Sequence, residues 1–232
     1  MPKVKCFFWI KVITSFFLSL VIYPVNATRT YTKDWSVANI IAPLSEGSSF
    51  KYYLEPQLRL IDTRSVFNQF LFLGGLGYQF NPDLMLFIGP GWIEIKNPIN
   101  NTSSTEKRLW QQLNWRILNN SNLTLNSRTR LEERNHTPRS QIAFRLRQRL
   151  WFRVPLQQWS GYSFSFFDEI FFNLNHPSWT SPYLLEQNRA FIGMAKQLSK
   201  SAILDVGYLH QYLHSFTNQS DNVLLLSLTM IT

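Results

Sequence analysis

Along most of the chain, apolar and polar residues alternate for about ten positions at a time. Each such stretch closes in a cluster of Asn, Pro, Ser, Gly or Asp. Between residues 50 and 61, Phe50, Tyr52, Leu54, Leu58 and Leu60 fall on one side, and Lys51, Glu55, Gln57 and Arg59 on the other. Leu109, Leu113, Trp115 and Ile117 oppose Arg108, Gln112, Asn114 and Arg116. After Asn119-Asn120-Ser121, Leu123, Leu125 and Leu131 alternate with Thr124, Asn126, Arg128, Arg130 and Glu132. Tyr162, Phe164, Phe166, Ile170 and Phe172 oppose Ser163, Ser165, Glu169 and Asn173, and Leu224, Leu226, Leu228 and Met230 line one face near the end.

A period of two predicts strands, because successive side chains of a strand point to opposite faces. The stretch IAFRLRQRLWF, Ile142 to Phe152, shows this most sharply. A helix would scatter Arg145, Arg147 and Arg149 around its cylinder; a strand gathers them on one face, away from Phe144, Leu146 and Leu150. Candidate strands lie near 33–42, 50–61, 65–79, 84–94, 106–118, 122–134, 140–154, 160–174, 187–198, 201–213 and 222–232. Single-chain bacterial barrels use an even number of strands. The expectation is therefore ten or twelve, with one short strand missed or the first segment lying outside the wall.

Composition decides between two all-β architectures. Aromatic residues make up 16% and charged residues only 16%, while no apolar run reaches the roughly 18–20 residues of a spanning helix. The polar faces carry Arg, Gln and Asn but little Lys, and most segments exceed the five or six residues usual in a sandwich. These features predict an antiparallel transmembrane β-barrel, whose strands need roughly 9–11 residues each. The apolar face meets lipid, and the arginines face inward. A guanidinium on the lipid face would cost about 2–4 kcal/mol at the midplane, and three in one strand would be prohibitive.

The inward set is then Glu55, Arg59, Arg108, Gln112, Arg116, Arg128, Arg130, Glu132, Arg134, Arg145, Arg147, Arg149, Glu169, Asn173, Arg189 and Asp205. Lys3, Lys5 and Lys11 precede an apolar stretch from Val12 to Tyr23, then Pro24 and Val25-Asn26-Ala27. This predicts a secretory signal peptide over 1–27, cleaved after Ala27, with the barrel over 28–232. Cys6 would leave with the signal, so no disulfide is expected. The formal charge of +9 falls when the three lysines go, and the remainder stays basic.

No catalytic set emerges. His176-Pro177-Ser178 has a His-x-Ser spacing, but the proline and the surrounding Asn, Ser and Thr predict a loop rather than one strand face. His210 and His214 would stand about 13 Å apart on a strand at roughly 3.3 Å per residue, too far to share a metal. Asp168 and Glu169 are adjacent and point to opposite faces, so Glu169 suits an arginine partner better than an acid dyad. No metal, cofactor or nucleic-acid partner is expected.

Several short patterns recur in a fixed order. They are Gly77-Tyr78, Glu106-x-Arg108-x-Trp110-Gln111-Gln112, Leu131-Glu132-x-Arg134, Arg145-x-Arg147-x-Arg149, Asp168-Glu169 with Phe171-Phe172-Asn173, Asn188-Arg189 and Gly207-Tyr208. In this order they resemble the bacterial envelope family known as domain of unknown function 2490, across most of the chain after the signal. The resemblance implies a bacterial outer-membrane barrel without an established activity. Such a location implies contact with outer-membrane lipid, lipopolysaccharide and the barrel-assembly machinery, and leaves the oligomeric state undefined. Two readings of the basic interior stay open. Arginine rings favour anions in a pore for small solutes, or the arginines fill a narrow closed barrel, bridged by carboxylates. A lipid-modifying outer-membrane enzyme is a third, less favoured reading.

Overall fold

The computed structural model describes residues 29–61, 66–97, 101–139 and 141–232. The signal segment expected over 1–27, with Cys6, lies outside the described residues. Among these residues all regular structure is β-strand: β1 (Arg29–Pro43), β2 (Phe50–Ile61), β3 (Val66–Asn81), β4 (Leu84–Asn97), β5 (Thr102–Asn119), β6 (Thr124–Thr137), β7 (Ile142–Pro155), β8 (Tyr162–Asn173), β9 (Leu185–Ser199), β10 (Ala202–Leu213) and β11 (Gln219–Ile231). Every strand pairs with its neighbours in sequence, and β1 pairs with β11 to close a barrel.

The wall therefore has eleven strands, not ten or twelve, and it is not antiparallel throughout. An up-and-down chain reverses direction at each turn, so after an odd number of strands the last runs the same way as the first. The seam is parallel accordingly, with Arg29 beside Gln219 and Ile41 beside Ile231. Slanted parallel hydrogen bonds close the sheet as completely as perpendicular ones, at slightly lower stability per residue. The first segment, which an even count would have left out, is a wall strand bonded on both sides.

This closure can be checked by cross-linking. Ser36 and Leu226 are register partners on the outer surface of the seam. Adjacent strands lie about 4.8 Å apart, within reach of a disulfide. Ser36→Cys combined with Leu226→Cys is expected to form an intramolecular disulfide in near-quantitative yield, read by non-reducing electrophoresis. Absence of the bond in folded protein would contradict the parallel seam.

The barrel has two unlike ends. At the turn end, β3–β4 and β9–β10 are joined by the two-residue turns Pro82-Asp83 and Lys200-Ser201. At the loop end, the β8–β9 connection of residues 174–184 folds inward. Asn173 Nδ2 donates to the Ser181 and Tyr183 carbonyls at 3.1 and 3.3 Å, and Ser181 Oγ donates to the His214 carbonyl at 2.6 Å.

The inward faces form a packed core rather than a uniformly polar lining. One apolar cluster joins Trp35, Trp151, Phe167, Phe191, Leu209, Val223 and Leu225. A second joins Ile41, Tyr53, Leu71, Leu73, Phe87, Ile93 and Trp110. The second is possible because Gly75 faces the Trp110 ring and Gly89 lets the β3 and β4 backbones approach beside it. A Cβ on Gly75 would stand 2.8 Å from the indole, so only glycine lets this fully buried ring reach across to Tyr53, 5.2 Å away. Large apolar side chains cover the outside, among them Phe50, Phe72, Leu76, Phe80, Ile88, Trp115, Phe164 and Ile192.

Candidate functional site

Between the two apolar clusters lies an ionic seam, and its origin is the register of β6 on β7. Period-two alternation places Arg128, Arg130 and Glu132 on the inward face of β6, opposite Arg149, Arg147 and Arg145 of β7. Two of these three cross-strand pairs oppose like charges, which is destabilising on its own. Buried cations need carboxylates with good hydrogen-bond geometry. Here the carboxylates come from other parts of the wall.

Glu55 reaches from β2 across the interior to Arg130 on β6, with Oε2 2.6 Å from Nη2. The same guanidinium donates through Nε to Gln112 Oε1 at 2.6 Å and through Nη2 to the Tyr53 hydroxyl oxygen at 3.0 Å. Tyr53 in turn donates to the Glu55 carboxylate. Glu132, fully buried, accepts from Arg145 Nη2 at 2.6 Å and Arg147 Nη1 at 2.7 Å, with Arg108 Nη1 at 3.4 Å. Glu169 on β8 accepts from Arg128 at 2.7 Å and Arg147 at 2.8 Å, and its other oxygen lies 3.9 Å from Arg189. Asp205 on β10 takes a bidentate pair from Arg153 at 3.0 and 2.8 Å and a bond from Ser165 Oγ at 2.6 Å.

Toward the loop end the seam continues. Glu106 holds Arg134 through two bonds of 3.0 and 2.9 Å, and Glu186 accepts from Arg145 at 3.0 Å. Arg134 also lies beneath Trp179 of the folded loop, 5.1 Å from its centroid. Lys33 and Asp221 pair at 2.7 Å beside the β1–β11 seam. Arg59 donates to Gln57 and Gln69, at 2.8 and 3.0 Å, and stacks on Trp35 at 4.1 Å.

Every residue expected on the inward face thus has a definite place. Glu55, Arg59, Arg108, Gln112, Arg128, Arg130, Glu132, Arg134, Arg145, Arg147, Glu169, Arg189 and Asp205 meet in or beside the seam. Asn173 anchors the β8–β9 loop instead, and Arg149 stacks over Trp151 at 4.4 Å beside the seam. Arg116 sits at the turn end, half exposed, where its Nε donates to Asp83 Oδ1 at 2.6 Å. Asp168 lies on the outer side and accepts from Asn188 Nδ2 at 3.0 Å.

The alternation, carried one step further along each strand, would also have found Tyr53 before Glu55, Glu106 before Arg108, and Arg153 after Trp151. Glu186 heads β9 and breaks that strand's alternation, so no period marks it. The His176 ring turns to the Ser181 carbonyl at 3.3 Å, and the Ser178 amide donates to Gln141 Oε1 at 3.2 Å.

The seam does not fill the whole barrel. A cup of about 440 Å³ opens at the turn end, lined by Lys51, Tyr53, Arg128, Arg149, Trp151 and Arg153 among others. Below it lies a smaller pocket of about 40 Å³, between Trp35, Glu55, Arg59, Arg147, Glu169 and Arg189. That leaves room for a few ordered waters.

The molecule is a closed β-barrel with an ionic and aromatic core and a shallow basic cup at one end. The chain belongs to the family described as protein of unknown function (DUF2490), whose profile matches residues 32–222. It is 32% identical over 161 residues to an uncharacterized protein of Methylorubrum extorquens strain AM1, covering 69% of this chain and 70% of that one. No solved structure matches the chain at a significant level.

Proposed function

We propose that this protein is an exported outer-membrane barrel that is closed to through-flow, rather than an open channel. The observation that carries the reading is the cross-barrel plug. Arg130, fully buried on β6, bonds Glu55 and Tyr53 on β2, so the wall is bridged through its own interior. The pocket below the cup measures about 40 Å³, and the β8–β9 loop folds over the far end. An arginine-rich passage sets which ions are preferred, but conduction also needs a continuous opening.

The outer face supports the membrane part of the reading. Strands of 12–18 residues exceed the roughly 9–11 needed to cross at a tilt. Exposed aromatics include Phe50, Tyr78, Phe80, Trp115 and Phe164 toward the turn end and Trp92 and Phe144 toward the loop end. Aromatic girdles flanking an apolar band are a feature of outer-membrane barrels.

Fractionation should recover the protein with outer membranes, with heat-modifiable migration on gels. Reconstituted in planar bilayers, it is expected to give no steady conductance. A stable, anion-favouring conductance that falls when Arg145, Arg147 and Arg149 are neutralised together would replace this reading with the channel.

A further inference from the structure

We propose that the cup at the turn end is a binding site for a small organic anion, with Arg149 gripping the acidic group. The floor of the cup is the plug, so the proposal rests on the closed-barrel reading for its depth, but it is tested separately.

Arg149 is the guanidinium that the seam leaves over. Its register partner on β8 is Glu169. That carboxylate is turned toward Arg128 and Arg147, at 2.7 and 2.8 Å, with Arg189 at 3.9 Å. Its partner on the other side is Arg128, another cation. Among the described residues no carboxylate lies within ion-pair distance of Arg149, and its guanidinium has no hydrogen-bond acceptor. The group is held instead by ring faces, 4.4 Å from the Trp151 centroid and 5.5 Å from that of Phe167. Stacking fixes the plane of the fork and leaves its N–H edge unused. Such a fork suits the bidentate recognition of carboxylate or phosphate.

The surroundings add charge and shape. Lys51 stands at the wall of the cup with its Nζ 3.3 Å from the Thr232 main-chain oxygen. The carboxylate at the rim, Asp83, is held by Arg116 at 2.6 Å. Arg153 is paired with Asp205 and Arg128 with Glu169, and both add to the positive field of the cup. Ile41, Met85 and Trp151 supply apolar surface beside these cations. A volume of about 440 Å³ falls within the range of small-molecule sites, about 300–1,000 Å³. The chemistry selected is an acidic group on a compact apolar body.

Calorimetric titration of the detergent-solubilised full barrel tests this, with phenyl phosphate, benzoate and neutral phenol as probes. Phenyl phosphate and benzoate are expected to bind at one site per barrel, phenol not measurably, with the two anions ranked by whether phosphate or carboxylate fits better. Arg149→Gln should weaken anion binding about ten- to hundredfold, the scale of a lost charge-assisted hydrogen bond. Arg149→Lys should recover only part, since an ammonium lacks the fork. Lys107→Gln, which removes an exposed cation on the outer face of β5 away from the cup, should leave the affinity unchanged.

Binding of phenol as tight as that of phenyl phosphate, no anion binding at all, or full affinity in folded Arg149→Gln would each overturn the proposal. The comparison of phenol with phenyl phosphate uses the unaltered protein and so decides even if a variant fails to fold. A conductance in bilayers would defeat the closed reading without touching the Arg149 result, and failed titration would do the reverse.

Discussion

Glu132→Leu is expected to lower the unfolding free energy by about 3–5 kcal/mol, the range seen when one member of a buried ion pair is removed. Glu132 is fully buried, and Arg145, Arg147 and Arg108 all converge on it, with Arg130 Nη1 at 3.9 Å. Without it, Arg108 keeps Glu106 and Arg147 keeps Glu169, but Arg145 is left with Glu186 alone. The local balance then tips strongly positive in a space that water scarcely enters. Denaturant unfolding of the protein folded into lipid vesicles measures the loss. A second variant, Glu132→Leu with Arg145→Leu, should recover part of it, because the orphaned cation goes too; double-mutant cycles isolate that coupling. A loss below about 1 kcal/mol in the single variant would mean that the seam is solvated and not a plug.

The second large effect separates membrane from water as the outer solvent. Leu146 faces outward on β7 beside Leu131 and Phe172, its register partners. Arg147, one position on, is buried and stacks over Phe171 at 4.5 Å. If the wall stands in lipid, Leu146→Arg should cost about 2–4 kcal/mol near the midplane and sharply reduce insertion into vesicles. Arg147→Leu should be milder, since Glu132 keeps Arg145 and Glu169 keeps Arg128. If the outside were water, the order would reverse, because a surface arginine is harmless and a broken buried network is not. Folding yield into vesicles, compared for the two variants, reads the difference directly.

Much of this architecture is visible in the alternation itself. All eleven candidate segments coincide with strands, and the arginines at 145, 147 and 149 share one face because a strand has a period of two. The miscount arose from importing the even number usual in bacterial barrels, a regularity of known examples rather than a requirement of closure. The interior was harder to read. β3 and β4 are apolar on both faces, with Leu71, Leu73, Phe87 and Ile93 inside and Phe72, Leu76, Leu86 and Ile88 outside. Such strands carry no alternation from which an inner face could be chosen. Nor does any local pattern reveal that Glu55 and Arg130, 75 positions apart, would meet. That contact depends on barrel width and on which strands face each other across it. The spare fork of Arg149 is a still finer matter, decided by which of several cations Glu169 turns to.

The parallel seam between β1 and β11 also bears on how such a wall can arise and where its ends emerge. Hairpin duplication adds strands two at a time and preserves parity, so reaching eleven from an even barrel takes at least one gain or loss of a single strand. That event carries one terminus from one rim to the other. The start of β1 opens beside the β10–β11 loop, whereas the end of β11 finishes beside the β9–β10 turn. Arg29 and Ile231 therefore stand at opposite rims of the wall, a full strand length apart.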